Sequence, residues 1–149
     1  MTHIKTAIIV LITAMILSLA LTYASLLSIV SSTKSNTERV LDSFVLENST
    51  YIYDSIKNGH DFTSSIDEYY YLYKISSELS LDYSVGMLYS RNEQGGYHFR
   101  MTNPQTRFTV SNTLNLTTTY DLLFPIHFAG KQVMELRIPI QVKVSYNLK

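Results

Sequence analysis

Hydrophobic residues follow two different rhythms along this chain, and an unbroken apolar run precedes both. Residues 7–30 contain no charged side chain. As a helix, this run of about 24 residues spans about 36 Å, enough to cross a hydrocarbon layer of about 30 Å. Residues 33–57 then contain neither proline nor glycine, and Val40, Leu41, Phe44, Val45, Ile52 and Ile56 recur at three- and four-residue steps. That spacing lines one helical face, while Lys34, Glu38, Arg39, Asp42 and Lys57 stay wet. The pattern predicts one continuous helix, apolar in its first half and amphipathic in its second, closed by Asn58-Gly59. The serine-rich and β-branched residues 28–37 are weaker helix formers, so a bend or local melt is expected there.

A second helix is expected after Gly59, capped by Asp61 or Thr63, with Asp67 and Glu68 suited to its positive N-terminal dipole. Ile66, Tyr69, Tyr70, Tyr73, Ser77 and Leu81 form its predicted packing stripe, widened by Leu72, Ile75 and Leu79. The tyrosines read as rings packed on the first helix with hydroxyls toward water.

From Tyr83 the period becomes two. Tyr83, Val85, Met87 and Tyr89 alternate with smaller or polar neighbours, residues 92–96 supply a turn, and Tyr97, Phe99 and Met101 resume the pattern. Asn103-Pro104 reads as another turn. Phe108, Val110, Leu114, Leu116, Tyr120, Leu122 and Phe124 share one phase, in a long bent strand or in two strands broken near Ser111-Asn112. Ala129-Gly130-Lys131 marks a further reversal. In the last strand Leu136, Ile138, Ile140, Val142, Val144 and Tyr146 face one way, and Glu135, Arg137, Gln141, Lys143 and Ser145 the other. Such alternation means an antiparallel sheet with one dry side, covered by the upstream helices. Pro139 places this strand at an edge, or turns that position outward. The predicted fold class is α+β: a long N-terminal transmembrane and amphipathic helix, a second helix and a small antiparallel sheet. Residues 1–32 form the anchor and 33–149 the α+β domain, which begins with the helical continuation.

Composition sharpens this division. The chain is 46% hydrophobic, ordinary for a globule, but the apolar residues are concentrated near the amino end. A cleaved signal peptide and a buried soluble helix compete with a retained anchor for that run. Tyr23-Ala24-Ser25 loosely fits a cleavage box, yet a signal core extends over only about 7 to 15 residues. Lipidation has no acceptor, since cysteine is absent and position 2 is Thr. Twelve basic residues balance 12 acidic ones, which gives no electropositive surface for nucleic acid.

Chemical motifs are sparse. Without cysteine there is no thiol nucleophile, disulfide or thiolate metal site. His3, His60, His98 and His127 show no metal-binding spacing. Asp67-Glu68 fits helix-start charge better than paired catalytic carboxylates, because adjacent helical residues diverge. Ser90 and Ser111 lack a nucleophile elbow, and Gly95-Gly96 lacks a phosphate-loop lysine. Asn48-Ser49-Thr50 and Asn115-Leu116-Thr117 match glycosylation acceptors. The expectation is a non-enzymatic protein with no catalytic, cofactor-binding or metal-binding residues, no cofactor and no small-molecule substrate.

The apolar run over 7–30, its helical continuation to Lys57 and the closing strands over 120–125 and 137–146 give the chain an architecture that resembles the small TadE-like and type IV pilin-like pseudopilins of bacteria. The resemblance implies a pilin-like fold and a role as a subunit of a type IV-like or Tad-like pilus or secretion apparatus, in adhesion or secretion and without catalysis. Its implied partners are membrane lipid and further copies, or other pilin-like subunits, bundled into a homo-oligomer or filament through the N-terminal helix. Type IV prepilins carry a glycine before the processing point and a glutamate five residues into the mature helix. Here the first glycine is Gly59 and the first glutamate Glu38. That departure points to a permanently anchored accessory subunit rather than a polymerising pilin. The alternative is a bitopic accessory subunit or binding module of another envelope complex. The expected location is the cell membrane, single-pass, with the short N-terminal tail inside and the C-terminal domain outside the cytoplasm, or a pilus; Lys5 against Lys34 and Arg39 gives little charge bias.

Overall fold

The computed structural model describes residues 1–62, 68–128 and 130–148. Two compact units divide the chain, Met1–Thr33 and Lys34–Lys149. Helix α1 (Thr2–Glu47) makes up the first and opens the second.

In the first unit every large apolar side chain from Ile4 through Tyr23 is exposed, on all sides of the helix. Its threonines satisfy themselves: Thr6, Thr13 and Thr22 donate to the carbonyls of Thr2, Ile9 and Ser18 at 3.0, 2.8 and 2.9 Å. Hydroxyls closed back on their own helix suit an apolar solvent, which offers no competing partners. The expected melt over 28–37 does not occur. Those residues remain α-helical, and Thr33 Oγ1 donates to the Ile29 carbonyl at 2.7 Å.

The second unit is an α+β domain. Its helical part carries Thr37, Val40, Leu41 and Phe44 into the core. The single predicted helix is in fact two. Asn48 separates α1 from α2 (Ser49–Lys57), and its side-chain Nδ2 donates to the Phe44 carbonyl at 2.9 Å. Asparagine competes with the helix for backbone partners, and here it does so at the break. Helix α2 buries Ile52 and Ser55 and ends as expected at Asn58-Gly59. Gly59 takes φ +68°, its N–H donates to Ile56 O at 3.2 Å, and the His60 N–H reaches Ser55 O at 2.8 Å. This paired closure is a Schellman motif.

Helix α3 is described from Glu68 to Glu78. Thr63, Ile66 and Asp67 of the predicted cap and stripe lie outside the described residues, as do the side chains of Glu68, Tyr69, Tyr70 and Tyr71. Its buried centre is Ile75, flanked at helical spacing by half-buried Leu72 and Leu79. Tyr73, expected to pack, is 70% exposed. Among the described side chains, the apolar side of the helix follows Leu72, Ile75 and Leu79, the residues predicted to widen the stripe.

Strands β1 (Asp82–Ser84), β2 (Met87–Arg91), β3 (Tyr97–Thr102), β4 (Gln105–Val110), β5 (Thr113–Phe128) and β6 (Lys131–Asn147) form one antiparallel sheet. β5 is its spine. β6 pairs along one side of it, while β3 and β4 lie end to end along the other, with β2 and β1 beyond β3. The predicted strand over 83–89 is a hairpin: Val85 and Gly86, at φ +48° and +74°, join paired Ser84 and Met87 in a type I′ turn. Leu88, not Met87 or Tyr89, enters the core. The turn at 92–96 forms around Asn92, whose Oδ1 accepts the Gly96 N–H at 2.8 Å. The stretch from Phe108 resolves into two strands that reverse at Ser111-Asn112, and Val110 pairs with Leu114. β5 and β6 are joined through Gly130, Ala129 lying outside the described residues.

On the dry side, Leu114, Leu116, Tyr120, Leu122 and Phe124 of β5 meet Ile140 and Val142 of β6 and the helices. Phe108 stands 6.2 Å from Phe44 and 5.8 Å from Phe62, ring centre to ring centre. Tyr146 donates its hydroxyl to Asp42 of α1. Burial, then that carboxylate, hold the phenol well above its usual range. A salt bridge from Lys74 to Glu47 ties α3 to α1.

Candidate functional site

Two surfaces carry the functional information. The first is helical. Within α1 lies a span long and apolar enough to cross a membrane, and none of its most apolar window is buried. Uncovered apolar surface of this extent is consistent with membrane association, since water is its least favourable surroundings.

The second surface is the polar face of the sheet. Register across β4, β5 and β6 aligns its side chains in rows: Thr109–Asn115–Ser145, then Arg107–Thr117–Lys143, then Gln105–Thr119–Gln141. Members of one row sit about 5 Å apart from strand to strand, and successive rows about 7 Å apart along the strands. Between them lies a groove of about 600 Å³, lined by Gln105, Thr109, Thr117, Gln141, Arg107 and Lys143 among others. An adjoining hollow of about 320 Å³ shares Gln105, Thr119 and Gln141 with it and reaches Asn103 and Asp121. The Asn103 Oδ1 atom is buried there with no hydrogen-bond partner.

Charges on the rest of this face are neutralised in place. Arg91 pairs with Asp82 at 2.8 Å, and Arg137 with Asp121. Arg100 grips both oxygens of Glu135 at 2.5 and 2.7 Å, a contact that raises the guanidinium's proton affinity further. The same arginine lies 5.6 Å from the centre of the Tyr97 ring, which meets Tyr89 edge to face at 5.8 Å. Tyr97 reaches this side through a bulge: Ser90 pairs with Phe99 but Arg91 with Tyr97, so His98 is the extra residue. Arg107 and Lys143 form no salt bridge among the described residues.

The sequence candidates scatter. His3 lies in α1, His60 after α2, His98 in β3 and His127 in β5, and all are exposed. The described residues hold no group of three or more His, Asp or Glu able to bind a metal ion. In the two glycosylation-like triplets the amide nitrogens are engaged: Asn48 as above, and Asn115 Nδ2 on Thr113 Oγ1 at 3.0 Å. The Arg107–Thr117–Lys143 row is invisible to pattern reading. Alternation places Lys143 on the wet side, but only the register of three strands sets Arg107 across from it. Comparison with known proteins adds no relative: no family model, no curated protein and no solved structure matches the chain.

Proposed function

We propose that this chain is a non-enzymatic, single-pass membrane subunit of pilin-like or pseudopilin type, anchored by its N-terminal helix and acting through its sheet domain outside the cytoplasm. The observation that carries the reading is the uncovered apolar length of α1 within Met1–Thr33, its hydroxyls closed on its own carbonyls. In lipid such a helix is a stable anchor; gathered with others of its kind it is the core of a filament. The apolar run over residues 7–30 carries no glutamate, which favours an anchored accessory subunit over a polymerising one. Sheared surface material, probed in the electron microscope with antibody to the Lys34–Lys149 unit, tests the choice. Labelled regular fibres mean polymerisation; label confined to the membrane fraction means an accessory role.

A second reading is a bitopic binding module of another envelope complex. The groove over Thr117, with two unneutralised cations beside it, favours that role for the sheet domain. One stable, non-pilus partner recovered with the intact membrane protein would select it.

A further inference from the structure

Three arginines on the polar sheet face each have a carboxylate, and the two basic residues flanking Thr117 have none among the described residues. Arg107 and Lys143 face each other across one polar groove, a placement that suits a negative ligand between them. Arg107 and Lys143 stand two strands apart, about 10 Å between backbones. Their long side chains can close on one anionic group above Thr117 from opposite sides. Arginine offers a planar fork and lysine a compact charge, which together suit a carboxylate, sulfate or phosphate oxygen set.

The rest of the lining narrows the ligand. Thr109, Thr117, Thr119, Gln105 and Gln141 present hydroxyls and amides that both donate and accept, the complement of a polyhydroxylated molecule. No carboxylate lines the 600 Å³ groove, and no aromatic ring lines it to stack a nucleobase. The adjoining hollow extends the polar lining past Thr119 toward Thr102 and Asp121. Its Asp121 lies four residues along β5 from Thr117, about 13 Å, so a ligand engaging both ends is longer than one sugar.

We propose that the polar face of β4, β5 and β6 is a binding site for an anionic glycan, with Arg107 and Lys143 holding its acidic group and the threonine and glutamine rows its hydroxyls. The site lies wholly within the Lys34–Lys149 unit and stands independently of the membrane reading.

The test uses the full chain in phosphatidylcholine nanodiscs, with polygalacturonate as probe, and dextran and single-stranded DNA as comparisons. Saturable binding to polygalacturonate is expected, with neither comparison matching it. Arg107→Gln and Lys143→Gln should each weaken binding roughly tenfold, while Arg91→Gln, already neutralised by Asp82, leaves it unchanged. Equal binding to dextran would show that charge is irrelevant, equal binding to DNA that any polyanion suffices, and an equal loss in Arg91→Gln that the effect is diffuse. Each of these outcomes overturns the proposal. Should a variant unfold, salt dependence of the wild-type interaction decides: binding must weaken as salt rises, and binding indifferent to salt contradicts an ionic site. Failure to enter nanodiscs would bear on the anchor alone, and the binding series then runs on the chain in buffer.

Discussion

Thr37 and Tyr120 meet through their hydroxyls at 2.9 Å in the core, where the two residues are 0% and 4% exposed. One comes from the amphipathic part of α1 and the other from the middle of β5, so this contact fixes how the helix lies on the sheet. A buried hydroxyl pair is costly to halve, because the remaining group is desolvated with less to bond. Thr37→Val and Tyr120→Phe should each destabilise the domain by about 1–3 kcal/mol. The double variant should lose less than the sum, with a coupling of about 1 kcal/mol measured by urea unfolding. Strict additivity would mean the hydroxyls do not act on each other.

Tyr146 and Asp42 form a second tie between helix and sheet, this one with a pH signature. The folded phenol is held above its ordinary value of 10.0, first by burial and then by Asp42. Folding therefore favours the protonated ring. The associated stability is fully present below about pH 10 and is lost as pH rises through the raised folded value. Tyr146→Phe should flatten the alkaline limb of a stability-against-pH curve. An unchanged limb would show that the phenol is not coupled to folding.

Among the described residues, two that are not glycine sit in left-handed backbone. Ser80, φ +51°, closes α3 with bonds from its own N–H to Ser77 O at 3.2 Å and from the Leu81 N–H to Ser76 O at 2.7 Å. Val85, φ +48°, is 94% exposed at the first hairpin tip. A β-branched side chain there costs on the order of 1–2 kcal/mol, and no burial offsets it. Ser80→Gly and Val85→Asn are each expected to raise stability by about 1 kcal/mol, read as an upward shift in thermal midpoint. A fall in either would mean that the native side chain makes a compensating contact.

These turns also explain what pattern reading reached and what it did not. The closing strand alternates so regularly that its faces, its edge position and the orientation of Pro139 follow directly. The Asp121 N–H bonds Thr102 Oγ1 at 2.9 Å, away from β6, so in the Asp121–Pro139 pair the proline ring nitrogen points outward. The first hairpin was hidden because Val-Gly is not a sequence expected in a type I′ turn. Alternation read through it put Met87 and Tyr89 on the wrong side. A bulge at His98 turned Tyr97 outward for a related reason: one inserted residue flips every side chain beyond it. In α3, Tyr73 reads equally well as core or surface, and it is exposed. The polar groove is built by the pairing of three consecutive strands, and alternation along each one does not give the register that sets Arg107 across from Lys143.

Pro139 also guards the sheet. Among the described residues β6 pairs with no strand but β5, and the proline removes one outward donor from the middle of this 17-residue edge strand. Replacing it restores a continuous row for strand pairing between molecules. Pro139→Thr should give larger species in analytical ultracentrifugation of the detergent-solubilised chain, increasing with protein-to-detergent ratio. A sedimentation profile identical to wild type would show that the edge is protected by other means.

Flotation of the full-length chain with phosphatidylcholine vesicles, followed by alkaline carbonate washing and mass spectrometry to verify residues 1–33, addresses the anchor itself. The chain should rise with the vesicles, resist the wash and need detergent for release. A monomer that stays in detergent-free buffer while still carrying those residues would contradict both the membrane role and the helical bundle.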